Sequence, residues 1–165
     1  MRELDLNQSS DNQQLGKVRF SFESEEGVGP AELFRLADES YLTSSPWSIG
    51  GFAEDMKSEH AYYGLAMNDT GCIGYMGYHL LFDEAEITNF VIKKNFQQQG
   101  IATRLLQAGL NELKKKECKK IFLEVRESNQ PAIRLYENNG FVGLGIRKNY
   151  YHEPEENAII MQLTL

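Results

Sequence analysis

The segment from residue 86 to residue 126 constrains the fold of this chain more than any other part of the sequence. Residues 86–92 are β-branched and aromatic, as expected of a buried strand. Apolar residues then recur from 102 to 113 with the spacing of one helix face, and a second apolar strand follows at 120–126. Two strands joined through a helix of this length pair in parallel. The segment therefore predicts a parallel strand–helix–strand crossover.

Periodicity and turn residues place the other elements. Alternating apolar residues predict a strand at 18–22, and a proline at a helix start predicts a helix at 30–37. We predict further helices at 52–56, 100–117 and 132–138, and further strands at 61–67, 72–82, 141–151 and 157–163. The order β-α-α-β-β-β-α-β-α-β-β predicts one mixed α/β sheet of about seven strands with helices on both faces.

Length and polarity indicate the domain organisation. A chain of 165 residues is long enough for one well-packed domain and short for two. Residues 1–16 are polar and lack apolar periodicity, so we predict a flexible N-terminal tail there and a single domain at 17–165.

Charge and composition exclude several classes of protein. A net charge of -7 argues against nucleic-acid binding and is compatible with a cationic peptide or amine as partner. No apolar run is long enough to span a membrane, and the polar start argues against a secretory signal. Cys72 and Cys118 form no C-x-x-C pair, and the histidines show no metal-ligand spacing. We therefore expect a cytoplasmic protein without a metal site.

The turn at residues 97–103 connects the first strand of the crossover to its helix. Free backbone N–H groups and the positive end of a helix dipole converge at such a turn, which suits a pyrophosphate. Gly100 would let a ligand approach the backbone closely. The alternative is an ordinary junction in which the glycine serves only turn geometry, and the turn alone leaves both interpretations open. Neither a Rossmann fingerprint nor a Walker loop is present.

The element order and the turn Gln97-x-x-Gly100-x-Ala102 together resemble the GCN5-related N-acetyltransferase family. Downstream motifs are similar to those of its bacterial ribosomal-protein-alanine N-acetyltransferases. These motifs are L-E-V-R-E-S-N at 123–129, A-I-R-L-Y-E at 132–137, I-R-K-N-Y-Y at 146–151 and A-I-I-M at 158–161. The resemblance covers roughly residues 30–163. His152 and Asn157 depart from the pattern of the ribosomal-protein-alanine N-acetyltransferases, which often have proline and aspartate at these positions. Both residues lie on the side where the resemblance places the acceptor of the acetyl group.

The resemblance implies the fold of that family and acetyl-CoA as the acetyl donor. It places the donor along the backbone of one strand, around the turn and beside the helix that follows the second strand. The implied donor-binding residues are Phe90, Val91, Ile92, Gln97, Gln98, Gln99, Gly100, Ile101, Ala102, Thr103, Asn129 and Tyr136. Asn129 also has the position and chemistry of a helix N-cap, and the two roles are compatible.

Glu124 and Tyr136 are the candidate catalytic residues. Glu124 interrupts a strand otherwise built for burial, where carboxylates seldom occur without a partner. From the residues alone, it could instead face solvent or pair with Arg126, and Tyr136 could simply pack against the sheet. The resemblance implies that Glu124 is the general base and Tyr136 the general acid of acetyl transfer.

Three aromatic residues are candidates for the acceptor site. The resemblance places Trp47 in a Pro-Trp loop on one side, and Tyr150 and Tyr151 on the other. Core packing is an equal alternative for Trp47. Adjacent strand residues point to opposite faces, so at most one of the two tyrosines is expected to contact substrate.

We therefore expect an enzyme that acetylates the α-amine of an N-terminal alanine on a small-subunit ribosomal protein. Transfer would be direct, in a ternary complex, because no Cys-His or Ser-His arrangement indicates an acyl-enzyme. The expected partners are acetyl-CoA and the N-terminal peptide of that protein, with the enzyme a monomer or weak dimer. The alternatives are an acetyltransferase for a small-molecule amine or protein lysine, and a non-catalytic acetyl-CoA-binding protein.

Overall fold

The computed structural model describes residues 17–25, 27–41 and 45–165, so the tail predicted for residues 1–16 lies outside the described residues. The elements follow the predicted order. They are β1 (Arg19–Ser21), α1 (Pro30–Ser40), α2 (Ile49–Asp55), β2 (Ala61–Asn68), β3 (Gly71–Leu81), β4 (Glu84–Ile92), a 3-10 turn (Lys94–Phe96), α3 (Ile101–Lys115), β5 (Lys120–Arg126), α4 (Gln130–Asn138), β6 (Val142–His152) and β7 (Glu155–Thr164).

The strands form one mixed sheet. Its seven strands lie in the order β1-β2-β3-β4-β5-β7-β6. All neighbouring strands are antiparallel except β4 and β5, which pair in parallel. The predicted crossover through α3 is therefore confirmed, and so is the seven-stranded mixed sheet.

Helices cover the sheet on both faces, as predicted. On the face that we call the α3 face, Leu105 and Leu106 of α3 and Ile133 of α4 pack with sheet residues such as Ile121 and Leu123. The apolar spacing of α3 directs these leucines inward.

On the opposite face, the α1 face, Leu33 and Leu36 of α1 and Phe52 of α2 pack against Tyr75 and Val91. Side-chain alternation along each strand therefore divides the interior into two cores.

β4 and β5 part halfway along their length. Their parallel pairing runs from Glu84↔Lys120 to Ile87↔Leu123 and then ends. At that point the register between β3 and β4 skips Thr88, which makes Thr88 a β-bulge. A bulge bends its strand and increases the local twist, so the rest of β4 is directed away from β5. The result is a gap in the middle of the sheet.

Replacing Gly74 with alanine should destabilise the sheet, because β3 and β4 leave no room there for a Cβ. An added Cβ would lie 2.6 Å from the Val91 carbonyl oxygen, which cannot move without the strand. We expect the free energy of unfolding to fall by about 1–3 kcal/mol in urea denaturation. Gly145→Ala in β6 is the control, since a Cβ there meets nothing within 4 Å. Equal losses in the two variants would contradict this prediction.

Candidate active site

The turn between β4 and α3 is shaped by its glutamines and its glycine. Gln97 Nε2 donates to the Ile92 carbonyl at 2.8 Å, and Gln99 Nε2 donates to the Asn95 carbonyl at 3.1 Å. Gln98 and Gly100 adopt left-handed conformations, with φ of 58° and 77°. The side chains of Gln97 and Gln99 thus stabilise the turn itself, and backbone groups form its outer surface.

This turn has the donor set of an anion site. Gly100 is the N-cap of α3, and no side chain caps the helix there. Within the described chain, the backbone N–H groups from Gln98 to Thr103 have no protein acceptor. A Cβ added to Gly100 would meet nothing within 4 Å, so the space above it is open. Converging N–H groups at a helix N-terminus fit a phosphate or pyrophosphate.

The gap between β4 and β5 continues from this turn. Beyond Ile87, the side of β4 that faces β5 has no strand partner, so the backbone groups on that side of Phe90–Ile92 lack a strand to pair with. The Ile92 carbonyl accepts from Gln97 instead. Val91 packs its side chain into the α1-face core, and its carbonyl oxygen lies against Gly74 of β3, so contact between Val91 and a donor stays a prediction. An extended polyamide chain could hydrogen-bond to such an edge as a further strand would.

Asn129 and Tyr136 flank the gap from α4. Asn129 is the helix N-cap, as predicted, with its Oδ1 accepting from Ala132 N at 3.3 Å. Tyr136 is only 6% exposed, and its ring packs edge-on against Phe90 and Phe141. Burial raises the pKa of the Tyr136 hydroxyl. The phenol therefore remains a neutral O–H donor over the physiological pH range.

Glu124 lies at the gap on the α1 face, opposite Tyr136. Its neighbours Leu123 and Val125 are in the α3-face core, so alternation points the carboxylate the other way. The Glu124 side chain is 19% exposed, and Arg147 Nη1 donates to its Oε1 at 2.5 Å. The two catalytic candidates thus belong to opposite faces, which the gap connects.

The possible partnership of Glu124 with Arg126 is not found. Arg126 instead pairs with Glu156 at 3.2 Å and donates to the carbonyls of Glu153 and Pro154. It therefore holds the β6–β7 connection against the end of β5.

Tyr150 and Tyr151 lie together, and the expectation that they point to opposite faces is wrong. Their ring centroids are 5.1 Å apart. The register between β6 and β7 shifts between Arg147 and Tyr151, and Asn149 has a φ of 52°. This irregularity breaks the alternation of the strand, because alternation requires consecutive extended residues.

Both tyrosines are close to the charges of the site. The Arg147 guanidinium lies 4.5 Å from the Tyr150 ring centroid, and that of Arg126 lies 4.1 Å from the Tyr151 centroid. Hydrogen bonding to the Glu124 carboxylate raises the pKa of Tyr150, and burial together with the Glu124 charge raises the pKa of Tyr151 to about 12. Both rings can therefore border the space above Glu124.

Trp47 has a packing role. Its ring lies 5.2 Å from that of Phe52 and joins the α1-face core. It also lines an open depression of about 440 Å³ with Ser48, Gly51 and the α2 carboxylates. Contact between Trp47 and an acceptor stays a prediction.

Two residues near the site were not predicted from the sequence. Arg147 lies in the motif at 146–151, but its partner Glu124 is distant in sequence. Asn89 is buried on the α1 face of β4. The only sequence signal for Asn89 was a single amide in an otherwise apolar strand. Such side chains are seldom buried unless they have a hydrogen-bonding partner or a function.

Neither a metal-binding cluster nor a membrane-spanning helix is found among the described residues. No group of three or more His, Cys, Asp or Glu residues in this part of the chain is placed to hold a metal ion. Nor does any described helix have the length and apolar character needed to cross a membrane.

Known proteins share this sequence pattern and this geometry. The sequence model of the Acetyltransferase (GNAT) family matches residues 30–141. A ribosomal protein bS18-alanine N-acetyltransferase from Haemophilus ducreyi is 36% identical over 136 residues, which cover 81% of this chain and 92% of the relative.

Solved structures agree with this assignment. The crystal structure of the ribosomal-protein-S18-alanine N-acetyltransferase from Escherichia coli has a TM-score of 0.79 and 28% identity, covering 90% of this chain and 94% of that chain. A GNAT acetyltransferase from Elizabethkingia anophelis, solved with acetyl-CoA bound, shares the fold at a TM-score of 0.72 and 22% identity. That match covers 90% of this chain and 98% of the other.

Proposed function

The chain belongs to the GNAT family of acetyltransferases, and on this basis we propose that it acetylates the N-terminal alanine of ribosomal protein bS18 in the cytoplasm. The observation that carries the proposal is Glu124, a carboxylate at the gap in the sheet. It lies on the face opposite Tyr136 and the turn at residues 97–103, which we call the donor turn. A donor entering from the α3 face would meet there an amine that arrives on the α1 face. The names of the bS18-alanine relatives support this acceptor.

Acetyl-CoA supplies the acetyl thioester. In the proposal, the backbone N–H groups from Gln98 to Thr103 bind its pyrophosphate, and the free edge of β4 at Phe90–Ile92 binds its extended arm. Asn129 keeps its side-chain NH₂ group available to the same arm, since only its Oδ1 is used in capping. These contacts would orient the thioester toward Glu124, and none of them involves a charged side chain.

Glu124 would remove the proton from the acceptor amine. An N-terminal α-amine has a pKa near 8, whereas that of a lysine side chain is about 10.4, so a carboxylate deprotonates the former more readily. In this structure Arg147 donates a hydrogen bond to the Glu124 carboxylate. An incoming ammonium group carries the same positive charge as the guanidinium. The acceptor would therefore replace the guanidinium, which can remain stacked on Tyr150.

Tyr136 would stabilise the leaving sulfur. Its raised pKa makes complete proton transfer to a thiolate unfavourable, because a thiol has a reference pKa of only about 8.5. A neutral phenol can nevertheless donate a hydrogen bond to charge that develops on sulfur. We therefore assign Tyr136 hydrogen-bond donation in the transition state. The sulfur would leave as a thiolate that takes its proton from solvent, and Glu124 would release the amine proton to solvent.

The pH dependence of kcat/KM tests this assignment. Activity should rise with pH until the acceptor amine is neutral, at about pH 8. Because the pKa of Tyr136 is raised, its deprotonation should cause no decline up to about pH 9.5. Steady-state rates between pH 6 and pH 9.5, with the fold checked by circular dichroism, provide the measurement. A fall above pH 8 with an intact fold would contradict the neutral donor.

Tyr136→Phe is the matching variant. Losing one hydrogen bond of about 1.4 kcal/mol in the transition state should slow single-turnover acetylation roughly tenfold. Acetyl-CoA affinity should stay unchanged, since the ring remains. A wild-type rate would remove Tyr136 from the catalytic residues.

Mass spectrometry of acetylated peptides tests the proposed function. The protein would be incubated with acetyl-CoA and a peptide that copies the bS18 N-terminus, beside an N-terminally blocked copy that contains a lysine. We expect one acetyl group on the free peptide and none on the blocked one. Acetylation of the blocked peptide would indicate a lysine acetyltransferase instead. Binding of acetyl-CoA without any product would indicate a small-amine acceptor or a non-catalytic binding protein.

A further inference from the structure

Asn89 is a buried polar residue whose hydrogen-bonding groups are unused. Asn89 is 3% exposed, and neither its Oδ1 nor its Nδ2 has a hydrogen-bond partner in the described structure. The hydroxyl of Thr88, the adjacent bulge residue, is likewise buried without a partner. Leaving buried polar atoms unpaired costs free energy, so a ligand that pairs such atoms gains binding free energy.

The register places Asn89 beside the catalytic gap. Ile87 and Leu123 are the last parallel pair of β4 and β5, and Glu124 is the next residue on β5. On β4 the bulge inserts Thr88, so Asn89 occupies the position equivalent to that of Glu124. Asn89 and Glu124 therefore flank the gap where it begins to open.

Asn89 lies on the acceptor side of the sheet. Its neighbour Phe90 packs toward the α3 face and Val91 toward the α1 face, so alternation puts Asn89 on the α1 face with Glu124. The donor turn and Tyr136 belong to the other face. An acceptor at Glu124 would thus lie on the same face of the sheet as the Asn89 amide, whereas a donor would approach from the other face.

We propose that Asn89 binds the first residue of the acceptor and selects N-terminal amines over side-chain amines, an inference that rests on the proposed function. An asparagine amide presents one acceptor oxygen and one donor NH₂ side by side. An N-terminal residue presents the complementary pair, an amine N–H and the carbonyl of the same residue. A lysine side chain has the amine but no adjacent carbonyl, so it leaves the Asn89 NH₂ unpaired.

The test compares two acceptors in several variants. One acceptor is a peptide with N-terminal alanine, and the other is the same peptide with CH₂ in place of its first carbonyl. Wild-type enzyme should prefer the natural peptide by about tenfold or more in kcat/KM, since the reduced peptide leaves a buried donor unpaired. Comparing this ratio between variants cancels the different basicity of the two amines.

Asn89→Leu should bring the ratio toward one and raise KM for the natural peptide, with acetyl-CoA affinity unchanged. The variant loses no intramolecular hydrogen bond, so its thermal unfolding should remain close to that of the wild type. Asn89→Ala removes both hydrogen-bonding groups without adding a charge and leaves a smaller side chain than leucine. It should therefore also reduce the ratio, and it provides the test if the leucine variant does not fold.

Tyr75→Phe is the matched control. Tyr75 also has a buried hydroxyl without a partner, and it lies on the same face of the adjacent strand β3. Its removal should leave the ratio and the rate unchanged. A wild-type ratio in both Asn89 variants would overturn the inference while the proposed function stands. Failure of the wild-type enzyme to acetylate the natural peptide would overturn the proposed function and this inference with it.

Discussion

Glu124→Gln should lower kcat/KM for the acceptor peptide by about 10²-fold or more, the usual effect of removing a general base. The amide cannot accept a proton from the amine. It can still accept the hydrogen bond that Arg147 donates, so the local structure should persist. Steady-state kinetics would measure the loss, and calorimetry would show an unchanged dissociation constant for acetyl-CoA.

Glu127→Gln is the matched control for this variant. Glu127 is an exposed carboxylate just past the end of β5, and its substitution makes the same change in net charge. Its kcat/KM should equal that of the wild type. If Glu124→Gln is as active as this control, Glu124 is not the base, and the amine loses its proton directly to solvent.

Gly100→Ala should weaken acetyl-CoA binding by about 10–100-fold, which corresponds to roughly 1.5–3 kcal/mol for one charge-assisted hydrogen bond. Gly100 has a φ of 77°, and the space above it is open, since an added Cβ meets no protein atom within 4 Å. An alanine Cβ would project toward the bound phosphates and would also favour a different backbone conformation. Calorimetric titration with acetyl-CoA is the measurement.

Backbone strain by itself can be separated from the loss of the anion site. Gly27 has a φ of 81° and equally open space around it, but it lies outside the donor turn. Gly27→Ala should therefore reduce stability to a similar extent and leave the dissociation constant of acetyl-CoA unchanged. Equal affinities of the two variants would show that the turn does not bind the donor through its backbone.

Much of the fold was predictable because its signals are local. The apolar spacing of residues 102–113 predicted α3, and the strand on each side required the parallel pairing of β4 with β5. Asn129 was predicted as an N-cap and is one. Each of these features depends on residues within a few positions of one another, where periodicity and backbone chemistry operate.

The sequence by itself determined the element order and the helical faces, and its resemblance to a known family supplied the turn at residues 97–103 and the two catalytic candidates as predictions. The tertiary structure alone decided which groups meet at the gap. It replaced the possible Glu124–Arg126 contact with the Glu124–Arg147 pair, and it brought Tyr150 and Tyr151 together. It also placed Asn89 level with Glu124 through the bulge at Thr88. These outcomes depend on strand register and on two local irregularities, and a shift of one residue in register exchanges the two faces of a strand.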